Sequence, residues 1–245
     1  MSTSTEPAPV TLPGGVGVSR LRVYDTTAPD GLAGGTPHLH LACTEGYVVT
    51  GGAGLVQTLT LDGYREIPLH PGAVVWFEPG TIHRLVNHDR LEITVLMQNS
   101  GLPEAGDAVL TLPPELLADA DRYATAVRLP GGGAPGGDLA AAYARRDLAV
   151  HGFLRLRAAL AAGDPGPLRE FHAAAARLVR PGLDRWRRRW RTGALDAAER
   201  TGRHLDALAE GRPEHLADAR VRWRNRPHEH GRLGMCGLLD TYPAG

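Results

Sequence analysis

The chain has 245 residues, of which 42% are apolar, so it is long enough to bury a substantial core. Arginine supplies all 27 basic charges and 27 acidic residues balance them, so no global field favours nucleic acid or a membrane as partner. Two cysteines are too few for a disulfide framework, no signal-peptide pattern opens the sequence, and no apolar run reaches membrane-spanning length. Composition predicts a cytoplasmic globular protein.

The first half of the sequence has the pattern of short β-strands. Residues 1–15 are rich in Ser, Thr and Pro and are expected to form a flexible tail. About eight strand-like runs with turn signals between them follow, which predicts an antiparallel sandwich or small barrel over residues 16–113. Asp62-Gly63 predicts a tight hairpin, and the glycines of 51–54 predict a turn at the end of a strand. The runs are RLRVYD, PHLHLA, GYVVT, GLVQTLTL, YREIPL, AVVWFE, HRLVN and LEITVLMQN.

The second half, residues 114–245, has a helical pattern. A proline marks the start of a helix in PPELLADADRYATAV. Three Ala/Leu/Arg-rich patterns follow at about 139–162, 167–190 and 194–210, and Pro181-Gly182 is expected to break the second. The last 27 residues predict one strand followed by a loop. The fold class expected is therefore an antiparallel β-barrel in the N-terminal half, followed by an α-helical C-terminal half.

The run PHLHLACTEGYVV contains a possible set of metal ligands. His38 and His40 are two apart on a predicted strand, so their side chains point the same way. Glu45 starts the next strand run, and a hairpin can return it to the histidines. His83 enters a strand after a Pro-Gly turn further along. An isolated His-x-His in a strand is more often an exposed or hydrogen-bonded pair, but this ordered set of imidazoles and a carboxylate indicates a metal site.

The set of residues resembles the two sequence motifs of the cupin superfamily. The first motif is matched by GLAGGTPHLHLACTEGYVVTGG, through His38, His40, Glu45 and Gly52. The second is matched by GAVVWFEPGTIHRLVN, through Gly72, Gly80, His83 and Asn87. Two positions depart from the motifs, since Leu32 replaces a glycine and Glu78 replaces a proline. The resemblance covers residues 16 to 100.

This resemblance implies a jelly-roll-type barrel with an interior divalent metal bound by His38, His40, Glu45 and His83. It favours Fe(II), with Mn, Ni, Cu and Zn as alternatives. It also implies a metal-dependent enzyme of small-molecule metabolism, of the oxygenase, oxidase or isomerase type, that forms a homodimer. The alternative is a non-catalytic cupin that binds a small ligand or has a regulatory function. A shared fold does not choose between these functions. Three neutral imidazoles and one carboxylate leave a divalent ion with a single positive charge, which favours an anionic oxygen ligand.

Other residues allow weaker predictions. Alternation along the strand predicts that Arg84 points away from His83 into solvent, and that Tyr47 shares the face of Glu45, as pocket lining or as core. The run LDRWRRRWR, 183–191, predicts an amphipathic helix that buries Trp186 and Trp190, in preference to a nucleic-acid surface. A second His-x-His at 228–230 predicts a mobile loop. No catalytic residue beyond the metal ligands is identified.

Overall fold

The computed structural model describes residues 12–227 and 230–242; residues 1–11 and His228 lie outside this part of the chain. The described residues form strands β1 Gly17–Val23, β2 His38–His40, β3 Glu45–Thr60, β4 Gly63–Leu69, β5 Val74–Phe77, β6 Ile82–Met97, β7 Ala108–Leu110, β8 Arg232–Leu233 and β9 Gly237–Thr241. The helices are α1 Pro114–Leu117, α2 Ala120–Val127, α3 Leu139–Ala161, α4 Gly166–Val179, α5 Leu183–Trp190 and α6 Asp196–Ala209. The predicted fold class, an antiparallel β half followed by a helical half, is confirmed.

The sheet is built around its two longest strands, β3 and β6, which pair with each other along nearly their whole length. One half of the sheet has the order β5-β3-β6-β1-β9-β8, and the other has the order β4-β3-β6-β2-β7. The ring centroids of Tyr47, on the first half, and His83, on the second, are 6.3 Å apart. The two halves therefore face each other across a shared interior.

Glycines allow β3 to continue through the bend between the two halves. The register with β6 slips between Val49 and Gly54, which is a β-bulge. Gly52 has a φ of +71°, and a Cβ there would lie 2.2 Å from the carbonyl oxygen of Arg90. The predicted turn at residues 51–54 is therefore wrong, because pairing with β6 resumes beyond the glycines. Two predicted strand runs merge in β3, and another two merge in β6.

The hairpin predicted at Asp62-Gly63 is confirmed, since Thr60 pairs with Gly63 and Gly63 has a φ of +130°. The predicted helix break is also confirmed, because a 3₁₀ turn at Arg180–Gly182 separates α4 from α5. The proline-led helix is split into α1 and α2, and the side chain of Asp119 caps α2.

The last 27 residues were expected to contain one strand, and their described part contributes two strands to the sheet. β9 pairs with β1, with Leu239 opposite Leu21, and β8 pairs with β9. Strands β8 and β9, which follow the helices in the sequence, therefore belong to the same sheet as the strands of residues 16–113. Among the described helices, none combines the length and apolar character that crossing a bilayer requires.

The helices pack on the outside of the β half. Phe153 of α3 and Phe171 of α4 share a buried cluster with Leu39 of β2 and Ile82 of β6. A Cβ at Gly152 would lie only 1.8 Å from the carbonyl oxygen of Thr111, so the glycine lets α3 approach the backbone that follows β7. The helical half thereby supports the strand that carries His38 and His40.

Two buried arginines hold the connection between β1 and β2, residues 24–36, against the outside of the sheet. Arg84 is fully buried, forms an ion pair with Asp30 and donates to the carbonyl oxygen of Gly35. The predicted solvent-exposed position of Arg84 is therefore wrong, because residues 24–36 cover this face of β6. Arg146 of α3 donates to the carbonyl oxygen of Thr26 at 2.8 Å. This connection leads directly into β2.

Candidate metal centre

The four residues predicted as ligands lie together in the interior. His38 and His40 come from β2, Glu45 from the start of β3 and His83 from the start of β6, and all four are buried. One donor atom from each lies within 4.8 Å of the others. His38 and His83 are opposite each other on paired strands. Strand alternation, the bend in β3 and the pairing of β2 with β6 together assemble this four-residue cluster.

Each imidazole is held through its Nδ1 atom. Nδ1 of His38 is 2.8 Å from the carbonyl oxygen of Thr36, and Nδ1 of His83 is 3.2 Å from that of Thr81. A carbonyl oxygen only accepts hydrogen bonds, so both Nδ1 atoms carry a proton and Nε2 keeps a free lone pair. Nδ1 of His40 lies 3.0 Å from the carboxylate of Asp107. Backbone or carboxylate support of this kind orients histidines for metal binding.

The free side-chain atoms of the cluster point at one another. The Oε2 atom of Glu45 is 2.9 Å from Nε2 of His83 and 3.3 Å from Nε2 of His40. Within residues 12–227 and 230–242, none of these three buried atoms has a well-aligned hydrogen bond. Buried polar atoms without partners cost free energy, and a shared cation would satisfy all three. Three imidazoles and one carboxylate are a donor set that suits a divalent transition metal.

The electrostatics of the cluster keep its carboxylate ionised and one of its imidazoles neutral. Burial raises the pKa of Glu45, but the electrostatic interactions with His83 and His40 outweigh burial and hold that pKa well below its usual range. Burial lowers the pKa of His40, yet its contacts with Asp107 and Glu45 raise that pKa to about 9. Burial, together with the other two imidazoles, holds the pKa of His38 well below normal. Glu45 is therefore anionic and His38 neutral at pH 7.

A cavity of about 160 Å³ adjoins the cluster, and His38, His40, Glu45 and Tyr47 line it. Tyr47 is buried, and its hydroxyl has no hydrogen-bond partner within the described part of the chain. Burial and the negative charge of Glu45 raise the pKa of Tyr47 well above normal, so the phenol keeps its proton. Tyr47 thus presents an O–H donor beside the cluster.

Asp107 is a residue of the candidate site that the sequence analysis missed. It is fully buried, and its Oδ1 accepts from the backbone N–H groups of Leu41 and Ala42 at 3.1 and 2.7 Å. Its other oxygen holds His40. The available signal was an aspartate directly before the apolar run AVL at 108–110, which forms β7 and pairs with β2.

One of the two tryptophans in the arginine-rich helix α5 anchors the helix next to the cavity. Trp186 is 5% exposed, and its Nε1 donates to the carbonyl oxygen of Ala105 at 3.0 Å. Trp190 is 41% exposed, so the prediction that both tryptophans are buried is wrong for the second. Trp190 is the last residue of α5. The segment that Trp186 contacts, residues 100–106, contributes Ser100, Gly101, Pro103 and Glu104 to the cavity wall.

No protein-family model and no curated protein matches the chain. Parts of it match solved structures. The DMSP lyase DddQ from Ruegeria pomeroyi is 21% identical, with a TM-score of 0.30, over 40% of this chain and 42% of that one. The Drosophila melanogaster CENP-C cupin domain is 15% identical, with a TM-score of 0.26, over 34% and 58%. The WlaRB TDP-quinovose 3,4-ketoisomerase from Campylobacter jejuni is 14% identical, with a TM-score of 0.28, over 32% and 60%.

The chain thus spans about half the length of the structures it matches. One of these structures is described as a cupin domain. Likeness at this level says nothing about activity. The structure itself shows a bent antiparallel sheet that encloses three histidines and a glutamate beside a cavity.

Proposed function

We propose that the chain is a metal-dependent cupin enzyme that binds one divalent metal through His38, His40, Glu45 and His83 and acts on a small oxygen-bearing molecule. The observation that supports this most directly is the convergence of the four donor atoms next to a cavity. Fe(II) is the metal we expect, because imidazole and carboxylate ligands suit it, with Mn, Ni, Cu and Zn as alternatives. An oxygenase, oxidase or isomerase would use such a site.

A divalent metal bound there supplies Lewis-acid chemistry or, if it is iron, a place for O₂ to bind. The chain's own residues perform the remaining tasks. The three histidines are fixed through Nδ1, so their Nε2 atoms need no reorientation. Glu45 supplies negative charge. Tyr47 holds a proton on Oη and donates a hydrogen bond to a ligand oxygen in the cavity. The buried walls exclude bulk water.

Elemental analysis of the purified protein tests the metal site. We expect about one equivalent of metal in the wild type and its loss in the His40→Ala and His83→Ala variants, since each removes one ligand. His70→Ala is the matched control, because His70 is exposed and lies outside the cluster. Retention of metal in both ligand variants, or no metal even after reconstitution, would refute the proposal.

The identity of the metal then directs the search for a reaction. A redox-active metal leads to assays of O₂ consumption, whereas Zn, Ni or Mn leads to assays of isomerisation. Activity that falls in Tyr47→Phe while metal content is retained would support the role given to the phenol. A metal-loaded protein that binds small ligands but turns none of them over would favour the alternative, a regulatory or ligand-binding cupin.

The cytoplasmic location and the homodimer stay predictions. An exposed apolar row on the outside of the sheet supports the homodimer: Trp76 lies opposite Gly46, which lies opposite Leu96. Trp76 is 69% exposed and the neighbouring Val74 is 60% exposed. We expect Trp76→Glu to shift the wild-type dimer to monomer in sedimentation velocity. A monomeric wild-type protein would contradict this prediction.

A further inference from the structure

The cavity beside the four-residue cluster has a composition that restricts its ligand. Its floor is the inner face of the sheet, where side chains from adjacent strands form rows. One row runs Tyr47, Val95, Ser19, Thr241 across β3, β6, β1 and β9. The next row contains Leu21 and Leu239, which are paired. All six of these residues line the cavity.

Exposure changes along this floor. Tyr47 is buried next to the cluster and Val95 is 7% exposed, whereas Ser19 and Thr241 are only partly buried. Glu104, which also lines the cavity, is exposed. The cavity therefore runs from the cluster, past apolar side chains, to an opening that carries hydroxyl groups. Adjacent strands are about 4.8 Å apart, so the distance from Tyr47 to Ser19, two strands away, is about 10 Å.

The volume limits the size of the ligand. The cavity measures about 160 Å³. An apolar cavity of about 150 Å³ in another protein accommodates a benzene molecule. A ligand with one ring or a short branched chain therefore fills the space between the cluster and the opening. A sugar nucleotide or a long acyl chain exceeds this space and would have to project through the opening.

The charges limit the ligand further. The chain contains 27 arginines, yet among the described residues that line the cavity there is no arginine, and the sequence has no lysine. The carboxylates of the lining are Glu45, inside the cluster, and Glu104, at the opening. A divalent ion on the three neutral imidazoles and Glu45 would carry a single positive charge, and the carboxylate of Asp107, 3.0 Å from Nδ1 of His40, offsets part of it from behind that ring. One anionic oxygen group is the most that this charge balances, and a second would find no positive side chain among the described lining residues, which include the carboxylate of Glu104.

We propose that the site is specific for a small monoanion with a compact apolar body, of which a monocarboxylate with a single ring or a short branched chain is the simplest example. This inference rests on the proposed metal-binding function and names its substrate class. It excludes phosphate esters, nucleotides and dicarboxylates. The apolar body lies over Val95 and Leu239, and Tyr47 donates to the anionic group.

A set of matched probes tests this class by calorimetric titration of the protein loaded with one equivalent of Mn(II). Benzoate is the reference ligand. Terephthalate adds a second carboxylate to the same ring, phenyl phosphate replaces the carboxylate by a more highly charged group, and 2-naphthoate enlarges the body. We expect benzoate to bind and each of the other three to bind at least about tenfold more weakly, since each adds an unpaired charge or exceeds the volume.

A gain-of-function variant tests the role of charge without relying on a loss. Ser19→Arg places a cation beside the opening, so terephthalate is expected to bind at least about tenfold more tightly than it does to the wild type. Thr94→Arg is the matched control, because Thr94 neighbours Val95 on the same strand but points to the opposite face. In this control, terephthalate binding stays at the wild-type level.

The outcomes separate the two proposals. One equivalent of metal, with terephthalate or phenyl phosphate bound as tightly as benzoate, would overturn the substrate class and leave the metal site standing. Binding of metal without binding of benzoate would likewise overturn the substrate class and leave the metal site standing. A protein that takes up no Mn(II) or other divalent metal would overturn both proposals. If Ser19→Arg left the affinity for terephthalate unchanged, the placement of Ser19 beside the bound ligand, at the opening of the cavity, would be contradicted.

Discussion

Asp107 couples the backbone that follows β2 to the orientation of His40, one of the proposed metal ligands. One carboxylate oxygen accepts the N–H groups of Leu41 and Ala42, and the other accepts from Nδ1 of His40. In Asp107→Asn, one oxygen still accepts from the backbone, but the amide NH₂ then faces a ring nitrogen that needs an acceptor. We expect metal affinity to fall about 10- to 100-fold, as for other groups that support a metal ligand.

A competitive titration with a chromogenic chelator measures that change. Asp62→Asn is the control, because Asp62 is exposed in a turn. The expected loss should appear in Asp107→Asn even where its unfolding midpoint stays close to that of the wild type. An unchanged metal affinity would contradict the role of Asp107 in positioning His40.

The ion pair between Asp30 and Arg84 should make an acid-sensitive contribution to stability. Burial raises the pKa of Asp30, but the hydrogen bond and charge of Arg84 outweigh burial and lower that pKa below its ordinary value of 3.8. A carboxyl with a lowered folded-state pKa stabilises the fold fully above its unfolded pKa, and this contribution is lost as pH falls through the folded pKa. Asp30→Asn should cost about 3 kcal/mol at pH 7, since it leaves Arg84 buried without its partner charge.

Urea unfolding of the wild type and Asp30→Asn from about pH 7 to pH 3 tests this sign. The difference in free energy of unfolding should be constant above about pH 5 and shrink below about pH 4. Asp89→Asn serves as control, because its ion pair with Arg90 is exposed and contributes little. A difference that grows as pH falls would contradict the assignment.

At the scale of single elements, two helical glycines should respond to the same substitution with opposite signs. A Cβ at Gly152 of α3 would lie 1.8 Å from the carbonyl oxygen of Thr111, whereas one at Gly202 of α6 would meet no atom of the described residues within 4 Å. Gly152→Ala should therefore cost about 2 kcal/mol or more by forcing α3 away from the sheet. Gly202→Ala should stabilise by up to about 1 kcal/mol through helix propensity. Chemical denaturation of both variants measures these changes. If the free energy of unfolding changed in the same direction in both variants, the packing argument would be refuted.

Features that a short stretch of sequence specifies could be predicted. Features that depend on contacts between residues far apart in the sequence could not. Asp62-Gly63 specifies its hairpin through glycine's positive φ, and Pro181-Gly182 ends α4 by backbone chemistry alone. His38 and His40 share a face because strands alternate. The burial of Arg84 was missed because residues 24–36, which cover it, have no periodic pattern. The sequence did not indicate that β9 joins the sheet, because its partner β1 is more than 200 positions away in the chain.

At the scale of the whole molecule, the β half depends on the helical half. Arg146 of α3 holds the connection that leads into β2, and β9 completes the cavity wall. A fragment of residues 16–113 lacks both, so we expect it to aggregate or to remain largely unfolded, with no cooperative unfolding transition and no stoichiometric metal. Circular dichroism and sedimentation check this. The full chain purified in parallel is the control, and a cooperatively folded fragment that binds one metal would contradict the prediction.

The pairing of β1 with β9 bears on how the protein matures as it is made. Arg22 of β1 and Asp240 of β9 form an ion pair although 218 positions separate them in the chain. At translation rates of about 5–20 residues per second, roughly ten to forty seconds pass between the synthesis of the two strands. During that interval β1 has a free edge, and the wall formed by Leu239 and Thr241 is absent. Among the described residues that line the cavity, those of β9 and Tyr242 are therefore the last to be synthesised, and the binding site is incomplete until they have been made.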